Sequence, residues 1–387
     1  MIARRGKDIP PFLVMEVLEK ALRMEREGRE IIHMEVGEPD FDTPACVKEA
    51  AREALERGMT HYTDSRGLPE LREAISRHYR EKYGIEVDPD RIIVTSGSSP
   101  ALLLVFASLL DPGDEVIVSD PGYPCYPNMV DFVDGKPVPV PVYEEYGFQY
   151  RPRDIAGRIT GRTKAVVINS PSNPTGNLLG PKVMEEIAEM GRDRYYVVSD
   201  EIYHGLVYEG KEHTILEFTD RAFVVNGFSK LYAMTGWRLG YLIAPPEFVR
   251  PIQKLQQNLF ISANAFVQWA GIAALTGCRD EVAHMVRTYD ERRRFLLPRL
   301  RELGFGVAVE PQGAFYILAN ARRFSVDSYS FAMELLEEAG VAVTPGIDFG
   351  KNGEGYIRFS YANHLDNLAR GVERLGEYLS RRKAGAG

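Results

Sequence analysis

Lys230 closes an apolar run, Ala222-Phe-Val-Val, with the small hydroxyl of Ser229 before it and Arg238 between Gly236 and Gly240 after it. An amine that attacks a carbonyl must be held still, partly desolvated and close to other positive charge, so that its neutral form is accessible. Ser229, Lys230 and Arg238 offer that combination at the carboxyl edge of an expected buried strand. The stretch alone also fits an ordinary solvated loop lysine.

Other segments carry compatible chemistry. Asp200 ends the apolar run 194–199, with Tyr203 three residues on. In Ser170-Pro-Ser-Asn-Pro-Thr-Gly176 two prolines and a glycine freeze the turn, leaving Asn173 to present a fixed amide. Gly97-Ser98-Ser99-Pro100 opens an apolar helix, where free N–H groups, the helix dipole and two hydroxyls suit a phosphate; a simple N-cap explains the same residues. Asn173, Asp200 and Lys230 all follow expected buried strands, and ligands bind outside the carboxyl ends of parallel strands. Asp200-Glu201 has no His or Cys at ligand spacing, with His204 and His213 read into a polar loop, so no metal is expected.

Ser-Lys-x-x-x-x-Thr-Gly-x-Arg-x-Gly resembles the lysine motif of the class I/II aminotransferases, pyridoxal 5'-phosphate enzymes of the aspartate aminotransferase superfamily, fold type I. Ser170–Gly176, Ser199-Asp-Glu-Ile-Tyr203 and Tyr356-Ile-Arg-Phe-Ser360 match the same family in order, and Gly37-Glu-Pro-Asp-Phe-Asp-Thr-Pro44 is typical of one large branch. The resemblance spans nearly the whole chain. It implies that Lys230 attaches the cofactor and moves the proton, and that Asp200 pairs with the ring nitrogen. Tyr203 and Asn173 would bond the ring oxygen, and Tyr123 would stack on the ring. Ser98, Ser99, Ser229 and Arg238 would hold the phosphate, with Tyr62 reaching across a homodimer interface to the neighbouring site. Arg358 would grip the substrate α-carboxylate, with Gly37 and Asn173 also at the substrate.

The elements that must position these residues follow from the pattern. With 387 residues, 44% hydrophobic and 26% charged, the chain can fill a sizeable core. A net charge of −8 argues against nucleic acid or an anionic membrane as partner. No apolar signal core or membrane-length stretch is present, and Cys46, Cys125 and Cys278 lack metal spacing, so free thiols in the cytoplasm are expected. Helices are expected over 12–28, from Pro44 to Leu55, from Pro69, over 101–110, over 249–275 and over 281–303, the last bearing a solvated Arg292-Arg-Arg294 face. Strands are expected over 31–36, 91–96, 114–119, 163–169, 194–199, 222–225, 240–244, 306–319, 341–344 and 355–359. The proline-rich stretch 136–142 can only be an edge strand. This is α/β organisation: a mostly parallel seven-stranded sheet flanked by helices, plus a smaller α+β domain built from both termini. The expected division is an N-terminal arm and part of the small domain over 1–45, a large cofactor-binding domain over 46–283, and a small domain over 284–387, ending in a frayed tail, 383–387.

The expected activity is ping-pong transfer of an α-amino group from an L-amino acid to a 2-oxo acid, with 2-oxoglutarate as the acceptor. A dicarboxylate specialist needs a second cation for the substrate side chain, because an unpaired buried carboxylate is costly. In some aspartate-active relatives a lysine stands at the position of Ser99. Its absence, with Ile9-Pro-Pro-Phe-Leu-Val14 as apolar cover, favours neutral donors (alanine, aliphatic, aromatic) beside aspartate. A β-lyase on the same scaffold and a non-catalytic cofactor-binding module are the alternatives.

Overall fold

Alternate residues of the central strands pack into two different cores. In the run 165–168, Ala165 and Val167 face one cluster while Val166 and Ile168 face the other; 222–225 divides likewise, Phe223 and Val225 against Ala222 and Val224. A sheet buried on both faces, with its strand sequences almost wholly apolar, is what parallel βα units produce. The computed structural model describes residues 2–384 and confirms that arrangement.

Strand β1 (Ile32–His33) lies outside the large sheet, which is formed by β2 (Ile92–Thr95), β3 (Glu115–Asp120), β4 (Lys136–Pro141), β5 (Thr163–Asn169), β6 (Tyr196–Asp200), β7 (Ala222–Gly227) and β8 (Gly240–Ile243). Its order is β2-β8-β7-β6-β5-β3-β4, with β8 antiparallel to both neighbours and β7 through β4 parallel. The carboxyl ends of β3, β5, β6 and β7 therefore share one edge. β4, with Pro137, Pro139 and Pro141, takes the outer edge as its missing N–H groups require.

β9 (Tyr316–Asn320), β10 (Val341–Ala342), β11 (Thr344–Pro345) and β12 (Tyr356–Ser360) build the rest. β12 sits between β11 and β9 in an antiparallel sheet, and β10 pairs in parallel with β1, Ile32 opposite Val341. Chain from both ends is thus joined in one lobe.

Several expectations need correction. The helix read over 249–275 is two, Pro246–Leu259 and Ala265–Gly277, because Ile261 turns left-handed at φ 66° between them. The strand read over 306–319 shrinks to β9: Gln312 and Gly313 donate their N–H groups to Gly176 O, both at 2.8 Å, and not to a strand. The stretch 341–344 divides between two sheets. The arginine run is not a solvated face: Arg292 and Arg293 are buried at 5% and 2%, paired with Asp40 and with Asp290 and Glu209, while Arg294 stays exposed. His204 is buried too, against Tyr83 OH at 2.7 Å. Cys46 and Cys278 are joined in a disulfide with Cα atoms 6.8 Å apart, and only Cys125 is free. Their separation of 232 residues hid the pairing, which packing of the helices Ala45–Glu56 and Ala265–Gly277 creates. The tail expectation over 383–387 falls outside the described residues from 385 onward.

No described helix is long and apolar enough to cross a membrane.

Candidate active site

A cavity of about 260 Å³ opens at the shared carboxyl edge, lined by Lys230, Asp200, Asn173, Arg238, Arg358 and Tyr203 among others. Ser98, Ser99, Tyr123, Ser229 and Gly37 also reach it. A larger cleft, about 630 Å³, lies beside the N-terminal helix Arg4–Asp8 and is lined by none of the expected site residues. Tyr62 is the one expected site residue that the fold does not bring in: it stands 82% exposed, away from the cavity of its own chain.

Lys230 follows β7 by three residues, and its Nζ donates to Gly37 O at 2.7 Å. Burial lowers its amine to about pKa 8; Arg358 and Arg238 push the same way, while Glu38 and Asp200 oppose. A residue usually inert at neutral pH is thereby brought within reach of its neutral, nucleophilic form. In the full chain freed of any cofactor, acylation of Lys230 by a small ester reagent should titrate with a midpoint near pH 8. Exposed lysines should follow about pH 10.4. Peptide mass mapping across pH reads both, and a shared midpoint would contradict the assignment.

Asp200 terminates β6 and is buried. Burial raises its carboxyl to about 6, against hydrogen bonds from Tyr126 OH (2.6 Å) and Ile202 N (3.2 Å) and the charge of Lys230. Tyr203 OH and Tyr316 OH share a hydrogen bond of 2.7 Å, and burial pushes both phenols up, so both stay protonated. Tyr123 meets Phe12 and Tyr126 edge-on, at 6.1 and 5.3 Å.

Arg358, on β12, is buried. Its Nη1 donates to Asn173 Oδ1 (2.8 Å), its Nη2 to Thr344 Oγ1 (3.1 Å) and Glu35 O, and Tyr316 lies under the guanidinium at 4.3 Å. Its Nε has no hydrogen-bond partner among the described residues. Gly37 must be glycine, since a Cβ there would fall 1.8 Å from Tyr316 OH.

The helix Ser98–Leu109 starts after Gly97 (φ 101°) with no side chain capping it, leaving free N–H groups at its dipole's positive end. A Cβ on Gly97 would lie 2.6 Å from Arg238 Nη2, so the guanidinium packs directly against this helix start. Arg238 is held there in a left-handed backbone (φ 55°), with Nη1 on Thr235 O at 2.9 Å. A non-glycine residue in that region costs ~1–3 kcal/mol, which persists only where the surroundings over-determine it.

These residues fit pyridoxal 5'-phosphate. An uncapped helix start with a guanidinium suits its phosphate, a buried carboxyl of raised pKa suits a protonated ring nitrogen, and an amine with a lowered pKa suits its aldehyde. Sequence reasoning missed Tyr126, Tyr316 and Thr344. Tyr126 could have been found as the residue one helical turn beyond Tyr123; Tyr316 and Thr344 reach the site only through strand pairing with β12.

The chain matches the family model for aminotransferase class I and II over residues 29–375. It is 43% identical to a (5-formylfuran-3-yl)methyl phosphate transaminase of Methanocaldococcus jannaschii, covering 98% of this chain and all of that one. It is 42% identical to the aspartate/prephenate aminotransferase of Thermus thermophilus, covering 98% and 99%. The solved structure of aspartate aminotransferase from Thermus thermophilus with maleate superposes with a TM-score of 0.94 at 41% identity, over 97% and 99% of the two chains. The protein belongs to the class I and II aminotransferases, a family of pyridoxal-phosphate-dependent transaminases.

Proposed function

We propose that this chain transfers the α-amino group of an L-amino acid to a 2-oxo acid, with 2-oxoglutarate as the common acceptor, and that it accepts neutral donors beside aspartate. The carrying observation is the cavity's lining. Its only lysine and arginine side chains among the described residues are Lys230, Arg238 and Arg358, and Phe12, Val14, Met15 and Val36 supply apolar surface. Each cation already has work, so a donor's second carboxylate has no dedicated partner, whereas an apolar side chain does. The relatives' names span aspartate, prephenate and a furan phosphate, which supports breadth within this scaffold. Steady-state kcat/KM for alanine, leucine, phenylalanine, glutamate and aspartate tests it. At least one neutral donor should come within a hundredfold of aspartate; aspartate ahead of all of them by more would refute the breadth. Many equivalents of 2-oxo acid and ammonia per chain, formed without any added acceptor from a donor bearing a β-leaving group, would favour the lyase alternative.

When bound, pyridoxal phosphate supplies the aldehyde that takes up the amino group and the ring that withdraws electrons from the α-carbon. Lys230 would carry the proton between the substrate α-carbon and the cofactor's C4' carbon. Asp200, oriented by Tyr126, keeps the ring nitrogen protonated. Tyr203 and the Asn173 amide would hydrogen-bond the ring oxygen, Tyr123 would stack on the ring, and Ser98, Ser99, Ser229 and Arg238 would hold the phosphate. Arg358, steadied by Asn173 and Thr344, binds the α-carboxylate through its fork. Gly37 keeps the backbone close to the substrate.

The exposure of Tyr62 supports a homodimer in which it completes the partner's phosphate site. Mixing Tyr62→Phe with Lys230→Ala chains should give heterodimers with one intact site, and activity above either parent. Mixed dimers that form without recovery would exclude the shared site. We also propose the division at about residues 45 and 283, the helix Arg279–Leu303 running through the second boundary. A cytoplasmic location is proposed as well, although a disulfide is uncommon there.

A further inference from the structure

The loop 37–43 borders the Lys230 pocket at Gly37 and is fastened on two sides. Toward the lysine segment, Gly37 O accepts from Lys230 Nζ (2.7 Å), Glu38 accepts from Thr235 Oγ1, Thr43 Oγ1 donates to Ala233 O (2.6 Å), and Trp237 Nε1 donates to Thr43 Oγ1 (2.9 Å). Toward the helix Arg279–Leu303, Asp40 takes both prongs of Arg292, Nη1 to Oδ1 at 2.7 Å and Nη2 to Oδ2 at 2.8 Å. The Arg292 guanidinium also lies 5.2 Å from the Phe41 ring, which meets Tyr289 edge-on at 5.4 Å. Just past the loop, the Cys46–Cys278 disulfide ties the next helix to the start of the same long helix.

A surface ion pair contributes little, but this one is bidentate and its arginine is 5% exposed, so its geometry is fixed. Nothing in the mechanism above uses it. We propose that the Arg292–Asp40 fork is a positioning element, holding the 37–43 loop so that Gly37 O stays on the Lys230 amine and Glu38 stays bonded to Thr235 of the lysine segment. Arg292 touches neither substrate nor cofactor in this account. It acts through the loop, and the inference rests on the reading of Lys230 as the reactive amine.

The groups facing that amine set the sign. Glu38 from the loop and Asp200 from β6 favour the ammonium; Arg358 from β12, Arg238 from the lysine's own segment and burial oppose it. A released loop withdraws Glu38 and the Gly37 carbonyl but also admits water to the amine, and burial is the largest of these causes, so the amine should titrate higher, toward a free lysine.

The test uses the full chain carrying Arg292→Met, Arg292→Met with Asp40→Asn, or Arg292→Lys. Arg292→Met strands a carboxylate and should lower thermal stability for that reason alone. The double variant removes both charges and should recover much of that loss. If the fork positions the loop, the double variant still shows the Lys230 acylation midpoint about one pH unit higher. Its kcat, with cofactor restored, falls ~10-fold or more. A folded double variant with the parent's midpoint and kcat overturns the proposal. Should the double variant not fold, Arg292→Lys, which keeps the charge and loses the fork, decides by the same two readouts. A parent midpoint like that of a free lysine would sink the reading of Lys230 and this inference with it. A lowered parent midpoint that no variant moves would sink this inference alone.

Discussion

Lys230→Ala is expected to fold, to bind pyridoxal phosphate still and not to turn over. The side chain makes one hydrogen bond, to Gly37 O, so its loss costs the fold little. The uncapped helix start at Ser98, the Arg238 guanidinium packed on Gly97 and the buried Asp200 remain to hold the cofactor. What disappears is the only amine lining the cavity among the described residues. Loss of a positioned proton carrier alone costs about 10²–10⁴-fold, and loss of the attaching amine adds to it. Multiple-turnover rates near those of the parent would show that the chemistry resides elsewhere.

Arg358→Lys comes next in size. The arginine is buried, shares its two Nη groups among Asn173, Thr344 and Glu35 O, and stacks on Tyr316. Lysine keeps the charge but not the planar fork, and leaves Asn173 Oδ1 and Thr344 Oγ1 without their donor. Disrupting one side of a buried, hydrogen-bonded charge pair costs about 2–5 kcal/mol, so kcat/KM should fall by at least ~30-fold for every donor alike. The uniformity matters: the α-carboxylate is common to all donors. A loss confined to one class, such as aspartate, would move Arg358 from the common carboxylate to the side-chain subsite.

The residues that were legible are those whose position depends on chain neighbours. Asp200 and Lys230 stand at or just after strand ends, and Asn173 in a proline-frozen turn, so apolar runs and turn chemistry sufficed to bring them to one edge. The family motif then attached roles to them. What sequence could not show depends on long-range packing. Tyr316 enters because β9 pairs with β12, setting Ser360 opposite it and Arg358 opposite Leu318. Arg292 looked solvated because its partner, Asp40, lies 252 residues earlier. The two-residue strands β1, β10 and β11 are too short for any alternation to register. Cys46 and Cys278 meet only because their helices do.

The central claim is that one amine, Lys230, carries the chemistry. Borohydride reduction of the purified enzyme with pyridoxal phosphate, followed by peptide mass mapping, tests it most directly. The added mass should fall on the peptide containing Lys230 at one per chain and vanish in Lys230→Ala. Stoichiometric addition at another lysine, with Lys230 unmodified, would contradict the account.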